Sequence, residues 1–185
     1  MRSEWKEVKL ADYATFQEGY VNPSQRESRY FGGRIKWLRA ADINNSYVYD
    51  TERKLTEEGY LSAGSSAKMF EPETLVISKS GTIGRVGILK DYMAGNRATI
   101  NIIPNDSIDC GFLFYLLLFK HPEIQHLAVG SVQRNLYISN LGTLRFELPS
   151  ITRQRAIANT LQCMDDRIEL NNKINENLEQ QAQAI

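Results

Sequence analysis

The sequence predicts an α+β fold: a globular domain over residues 1–149, with a curved, mostly antiparallel sheet and short helices, followed by a long C-terminal coiled-coil helix over 150–185. Short β-prone runs separated by glycine and polar clusters recur through the first part of the chain. After Pro149 there is no further glycine or proline, and helix-forming residues dominate. The chain has 185 residues, 42% of them hydrophobic, which allows one ordered core and one appended element.

The β-prone runs lie at residues 35–38, 47–49, 74–78, 85–89 and 99–103. Short helices are expected at about 54–61, 110–120 and 121–129, and Pro122 suits a first helical turn. The longest fully apolar run, Phe112 to Phe119, is far shorter than the roughly 20 residues of a membrane span. We therefore expect a buried core helix there and no membrane partner.

The segment after Pro149 carries an apolar repeat. From an N-cap at Ser150 or Thr152, positions recur in steps of four and three, the spacing of a coiled-coil seam. The predicted helix-pairing residues are Ile157, Leu161, Met164, Ile168, Asn171, Asn175, Leu178 and Ile185. Asparagines within a seam lower stability but tend to fix register and partner. Such a helix would be roughly 50 Å long, too long for one domain to cover, which predicts an outside partner. The alternative is packing on its own domain.

The chain has 22 basic and 22 acidic residues and no formal net charge. Evidence for nucleic-acid binding must therefore come from local clusters of basic residues. Residues 26–39 hold five basic residues against one acidic, interleaved with aromatic residues, and residues 79–97 hold four against one. Cations of this kind anchor phosphates, and amide or planar side chains beside them can read base edges. The alternative interpretation is a pair of solvated charged loops.

Two loops add polar candidates. The Gly81-Thr82-Ile83-Gly84 segment lies between strands and matches no nucleotide-binding motif, so its glycines indicate a tight turn that either contacts DNA or is only a turn. The trio after Gly130-Ser131 offers Arg for guanine and Asn or Gln for adenine, or else a hydrogen-bonded loop. The predicted DNA-binding residues are Arg34, Lys36, Arg39, Lys79, Ser80, Thr82, Arg85, Arg97, Gln133, Arg134 and Asn135. Asn44, Asn45 and Asn96 are weaker candidates of the same kind.

Other classes of site find no support in the sequence. His121 and His126 are five positions apart without acidic or cysteine partners at metal spacing, so neither a metal nor another cofactor is expected. Cys110 and Cys163 belong to no CxxC pair and are expected to be thiols in a reducing cytosol. The first residues lack the apolar run of a signal peptide, which predicts a cytoplasmic location. Methylation and cofactor-binding motifs are missing, so we do not expect an enzyme.

Six segments, in order, resemble the specificity (S) subunits of type I restriction-modification systems. They are residues 5–10, 35–43, 76–87, 130–136, 148–158 and 165–179. The second resembles the family's PW(I/L)…DI segment, with Lys36 in place of the common Pro; the third resembles its SxxGTIG hairpin. The fifth resembles its LPPLxEQxxIA helix entry, with Ser150 for the second Pro and Arg153 for the usual Glu. The match covers nearly the whole chain.

The resemblance implies a target-recognition domain with a spacer helix that reads one half of a two-part DNA site. It implies no catalysis by this chain: methyltransferase subunits would dock on the helix through Arg167, Glu169, Lys173 and Glu176, with restriction subunits joining through them. Complete members look like two such units in tandem. This sequence holds one, so a fragment and a half-subunit that forms a homodimer through its helix are both open. The alternative is a helical dimerisation protein without a DNA role; an autonomous DNA enzyme is disfavoured.

Overall fold

The computed structural model describes residues 5–131 and 133–183. The strands are β1 (Lys6–Lys9), β2 (Ala14–Glu18), β3 (Phe31–Leu38), β4 (Ser46–Val48), β5 (Lys54–Leu55), β6 (Met69–Phe70), β7 (Leu75–Ser78), β8 (Val86–Leu89), β9 (Met93–Gly95), β10 (Thr99–Pro104) and β11 (Arg145–Leu148). The helices are α1 (Glu57–Leu61), α2 (Cys110–Phe119), α3 (His121–Leu127), α4 (Ile138–Leu141) and α5 (Ile151–Gln183).

The central sheet has the strand order β2-β10-β7-β8-β4. All four residues of β7 and of β8 are buried, because helix α2 covers one face and the neighbouring sheet covers the other. Such strands read as continuous β-branched and aliphatic runs rather than alternating ones. A second sheet has the order β5-β3-β9-β6, and β1 pairs with β11 alone.

Pairing between strands is mostly antiparallel, as the sequence predicted. Among the described residues only β3 with β9 and β4 with β8 run parallel. The antiparallel pairs include β10 with β7, where Ile100 lies opposite Ile77. The predicted α+β class with a long C-terminal helix is therefore confirmed.

The predicted helix at 54–61 was wrong over its first residues. Lys54 and Leu55 form strand β5 against β3, where Leu55 is fully buried. Helix α1 starts only at Glu57, because Thr56 is extended and its hydroxyl accepts the Gly59 amide at 3.1 Å. This N-cap satisfies an amide that the helix itself cannot. Helix α3 ends at Leu127, two residues earlier than predicted.

Helix α2 carries the whole apolar run that we expected to be buried. Phe112, Leu113, Phe114 and Leu117 lie in the core against the central sheet. Phe119 at its end is 78% exposed, so the run is only partly a core helix.

Helix α5 is continuous for 33 residues, which is about 50 Å at 1.5 Å per residue. Its first turns belong to the core: Gln154 and Ala158 are buried, and the side-chain oxygen of Gln154 accepts the Asp109 amide at 2.8 Å. Further along, the Tyr115 hydroxyl donates to the carboxylate of Asp165 at 2.8 Å. Within the described residues, no helix has the length and apolar character to cross a membrane.

Candidate nucleic-acid interface

The loop between β7 and β8 is a tight, internally bonded turn. Gly81 and Gly84 have φ angles of +73° and +86°, which side chains with a Cβ rarely adopt. The Gly84 amide donates to the Ser78 carbonyl at 3.0 Å, and the Arg85 amide donates to the Ser78 hydroxyl at 3.1 Å. The glycine pattern of the sequence therefore has a geometric reason in this turn.

Three other loops are bonded to this turn. The Thr82 hydroxyl donates to the Ala40 carbonyl at 3.2 Å, and the Lys79 amide donates to the Ala98 carbonyl at 2.8 Å. The Leu136 amide donates to the Lys79 carbonyl at 2.9 Å. Residues 39–45, 79–85, 96–98 and 129–135 thus meet at one edge of the domain, which we call the loop edge.

The loop edge brings together most of the predicted DNA-binding residues, from segments far apart in the chain. They are Arg39, Lys79, Ser80, Thr82, Arg85, Arg97, Gln133, Arg134 and Asn135. Arg34 and Lys36 lie outside it, within strand β3. The Lys36 ammonium is 2.8 Å from the Asp91 carboxylate, and this hydrogen bond lowers the pKa of Asp91.

Two cations of the loop edge have carboxylate partners. The Lys79 ammonium is 2.8 Å from the Glu18 carboxylate, and both side chains are largely covered. The Arg39 guanidinium lies 3.4 Å from Asp42 and 2.6 Å from Glu52. Burial lowers the pKa of Arg39, but the hydrogen bond to Glu52 and the charge of Asp42 outweigh burial and leave it raised. These charges are fixed in place before any ligand arrives.

The loop at 129–135 is closed by its own hydrogen bonds. Val129 and Asn135 exchange backbone bonds of 3.0 and 2.8 Å. The Arg134 guanidinium donates to the carbonyls of Ala128 (3.1 Å) and Gln125 at the end of helix α3. Arg134 thereby holds the loop onto the helix, while the Gln133 side chain is exposed.

Sequence reasoning missed several residues at this edge. Glu18 was not a candidate although it pairs with Lys79 across 61 positions of the chain. Tyr137 is 46% exposed, and the Lys79 ammonium lies 6.0 Å from the centre of its ring. Asn45, a weaker candidate, accepts the Val86 amide at 3.0 Å and so ties two loops together. No local pattern marks Glu18 or Tyr137, because their partners are distant in sequence.

His121, treated in the sequence as a surface or core histidine, packs against Gly84 of the turn: a Cβ on Gly84 would lie 2.9 Å from its ring. The His126 ring nitrogen Nδ1 is 2.6 Å from the Pro122 carbonyl. In residues 5–131 and 133–183 no cluster of side chains suited to a metal ion occurs. Cys110 is half-buried, Cys163 is exposed, and no disulfide joins them.

The predicted helix-pairing residues divide into two groups. Ile157 and Leu161 are half-buried and line an apolar groove of about 800 Å³ with Leu116 and Phe119. Met164, Ile168 and Leu178 are more than half exposed. Asn171 and Asn175 are exposed as well. Leu170 and Ile174, one position to the side, are 58% and 47% exposed. Ile185 lies outside the described residues.

We call Met164, Ile168, Leu170, Ile174 and Leu178 the apolar stripe. These side chains are 47–58% exposed in the described part of the chain, and Ile168 also lines a cavity between the helix and the domain. On the remaining surface of helix α5, Lys173 pairs with Glu169, and this hydrogen bond raises the pKa of Lys173. Arg167 and Glu176, the other residues of the predicted docking face, are exposed.

Comparison with known proteins gives a consistent answer. A family model described as the type I restriction modification DNA specificity domain matches residues 2–180. The type I restriction enzyme MjaIX specificity subunit of Methanocaldococcus jannaschii is 32% identical over 181 residues, which cover 95% of this chain and 41% of that protein. The putative MjaX specificity subunit of the same organism is 30% identical, covering 98% and 41%.

The crystal structure of a type I restriction-modification S subunit from M. genitalium has the same fold, with a TM-score of 0.67 at 20% identity. The match covers 89% of this chain and 40% of that one. The chain therefore spans about two fifths of the length of the relatives that it matches.

Proposed function

Because the chain belongs to the type I restriction-modification DNA specificity family, we propose that it recognises double-stranded DNA with its loop edge and reads one half of a two-part target. One observation carries this proposal: loops from four parts of the chain place most of the predicted DNA-binding residues at a single edge. Cations and amides gathered at one edge are what duplex recognition needs. A DNA role also fits the predicted cytoplasmic location.

Within this edge we assign different tasks to different side chains. We assign Lys79 and Arg39 to phosphate contacts that set the register of the domain on the duplex, in which the phosphate displaces Glu18 or Asp42 from its cation. Gln133, Asn135 and Arg97 have the amide and guanidinium groups that read adenine and guanine edges. Arg34 and Lys36 lie on β3, so any contact from them would be peripheral.

We propose that helix α5 pairs antiparallel with a second spacer helix and sets the gap between half-sites. Centred on residue 169, such a pair places Ile168 opposite Leu170 and Met164 opposite Ile174, so apolar residues meet around its centre. The exposure of the stripe supports an outside partner. In a homodimer of this chain, the end of each helix would reach the groove beside Ile157 and Leu161 of the other copy.

We further propose that the exposed face with Arg167, Glu169, Lys173 and Glu176 docks methyltransferase subunits, through which restriction subunits join. The chain itself would be non-catalytic and would need no cofactor. The boundary between recognition domain (1–149) and spacer helix (150–185) remains a prediction, since the first turns of helix α5 pack into the domain core.

Methylation-site mapping in cells that carry this gene with its methyltransferase subunits tests the proposal. We expect a two-part motif, one half of which changes when Gln133 or Asn135 is replaced by alanine, at a cost of about 1–3 kcal/mol in binding. Lys79→Ala should weaken all duplexes alike. A methylation pattern that ignores these substitutions would contradict the assignment.

The exposed stripe favours one other candidate function, a helical dimerisation protein without a DNA role. Salt-dependent binding separates the two, because DNA binding through phosphates weakens steeply as salt rises. Binding should be measured with the methyltransferase subunits present as well as without them. No binding at any salt in either case would favour the interaction protein. Cofactor-dependent methylation by the purified chain alone would instead indicate an enzyme.

A further inference from the structure

A cavity of about 410 Å³ opens at the loop edge between the β7–β8 turn and helix α3. Its lining includes Thr82 and Arg85 from the turn, His121 and Gln125 from helix α3, and Arg134 from the loop that follows the helix. Two of these residues, His121 and Gln125, were not predicted to take part in any site. The turn and the helix are held at this spacing by the contact between Gly84 and the His121 ring.

The cavity has an unbalanced charge. Two guanidinium groups line it, and its described lining includes no carboxylate. A second cavity of similar size, about 400 Å³ beneath helix α5, has the opposite character, with Asp165, Asp166 and Glu169 in its wall. Cations brought together without a counter-charge favour the binding of an anion.

Arg85 differs from its neighbours in its partners. Arg39 and Lys79 each pair with a carboxylate, whereas the hydrogen bond of the Arg85 side chain goes to the neutral amide oxygen of Asn44 at 3.2 Å. Among the described residues it has no ion pair within 4.0 Å. The positive charge of Arg85 is therefore available to a ligand.

Arg134 is held in place by hydrogen bonds that leave part of its guanidinium available to a ligand in the cavity. Its Nε and Nη2 atoms donate to the carbonyls at the end of helix α3, which fixes the plane of the guanidinium. Its Nη1 atom has no partner among the described residues, and a guanidinium has five donors in all. The donors on Nη1 are therefore available to a second acceptor.

Neutral donors complete the lining. The backbone amides of Gly81 and Ile83, on the wall of the cavity, make no hydrogen bond to other described residues. The Gln125 side chain is exposed at the rim and offers an amide group. Phosphate oxygens accept several hydrogen bonds at once, and guanidinium groups with backbone amides are common partners for them.

We propose that this cavity is a seat for a phosphate group, with Arg85 as its principal charged contact and Arg134 as the second. The source of the phosphate is a backbone phosphate of duplex DNA, and this part of the inference rests on the proposed function. The seat would fix the position of one phosphate relative to the base-reading loop, because Arg134 and Gln133 are adjacent in the chain.

The test is a titration of the ¹⁵N-labelled chain with pyrophosphate, followed through the amide signals of Gly81 and Ile83. We expect a saturable shift of these signals in the unmodified chain. Arg85→Gln should weaken it at least about tenfold, since a hydrogen bond to a charged group is lost. Arg153→Gln, which removes an exposed cation on helix α5, is the matched control and should have no effect.

A second variant tests the electrostatics without removing an arginine. Gln125→Glu adds a carboxylate at the rim of the cavity and should abolish the pyrophosphate shift, whereas Gln162→Glu on helix α5 should not. Each variant is first compared with the unmodified chain by urea unfolding. Equal pyrophosphate affinity in all four variants, or shifts scattered over the surface, would overturn the phosphate seat.

The source of the phosphate is tested by competition. A duplex should displace pyrophosphate from the Gly81 and Ile83 signals, and Arg85→Gln should reduce the slope of log affinity against log salt by about 1. If a duplex binds the chain without displacing pyrophosphate, the DNA source is overturned. The cavity would then be a site for free phosphates. If no duplex binds under any condition, the proposed function is wrong. The pyrophosphate titration still tests whether the cavity binds a phosphate group.

Discussion

The two halves of helix α5 have the same backbone but different surroundings. In the first half, Gln154 and Ala158 are buried and Asp165 is bonded to Tyr115. In the second half, Leu170, Ile174 and Leu178 face outwards from the described chain. One uninterrupted helix therefore serves two purposes. Its root belongs to the fold of the domain, and its far end presents an apolar surface to a partner.

The largest effect on folding is expected at the root. Gln154→Leu would leave the Asp109 amide and the Pro149 carbonyl without their partners at 2.8 and 2.9 Å. Buried groups left unpaired cost about 1–3 kcal/mol each, so we expect a loss of about 2–4 kcal/mol in the free energy of unfolding. Urea unfolding measures it.

The same substitution in the exposed part of the helix is the control. Gln162→Leu should change the free energy of unfolding by less than about 0.5 kcal/mol. Equal losses for both variants would show that the buried hydrogen bonds of Gln154 do not stabilise the root.

The next prediction concerns the far end. The double change Ile174→Ser and Leu178→Ser should weaken self-association at least about 100-fold, because apolar area that a partner helix would bury is lost. Sedimentation velocity over a concentration series measures the dissociation constant. Asn177→Ser with Glu179→Ser, on the same turns, should leave it unchanged. An unmodified chain that stays monomeric at all concentrations would rule out the homodimer.

A smaller effect is expected at the junction of the two halves. Tyr115→Phe removes the hydroxyl that donates to Asp165 at 2.8 Å, a bond that together with burial raises the pKa of Tyr115. We expect a loss of about 1 kcal/mol in the free energy of unfolding. Tyr137→Phe is the control, because that exposed hydroxyl has no described partner. No difference between the two would mean that the root ends before Asp165.

The smallest perturbation uses the two thiols as reporters. Burial raises the pKa of the Cys110 thiol to about 12, so at pH 8 only about one molecule in ten thousand carries the reactive thiolate. Cys163 on helix α5 is exposed. We expect iodoacetamide to label Cys163 at least about 100-fold faster, as measured by peptide mapping. Similar rates would indicate that the surroundings of Cys110, where its thiol donates to the Glu73 carbonyl, open readily.

Sequence reasoning was most successful where structure depends on local periodicity. The long helix follows from the absence of glycine and proline after Pro149, and the central strands follow from runs such as Thr74 to Ser78. The helix predicted at 54–61 failed because Lys54 and Leu55 pair with residues of β3 that lie 18 to 24 positions upstream. Local propensity does not contain such a long-range pairing.

For the candidate site, the sequence identified residue types but not their partners. It selected Arg39, Lys79 and Arg85 by charge alone, and all three lie at the loop edge. It could not distinguish paired from unpaired cations, because Glu18 and Glu52 reach their partners only through the fold. Arg34 and Lys36 illustrate the same limit: their charge is local, but their position in β3 is set by sheet pairing.

The carboxylates beside Lys79 and Arg39 have a consequence for how such a protein would behave on a chromosome. A DNA phosphate must displace Glu18 or Asp42 from its cation before it can bind there. A duplex of random sequence therefore gains little binding free energy from these two cations. We expect residence on non-target DNA to be brief for this reason. Brief binding to non-target DNA would allow such a protein to search many sites before it binds its target.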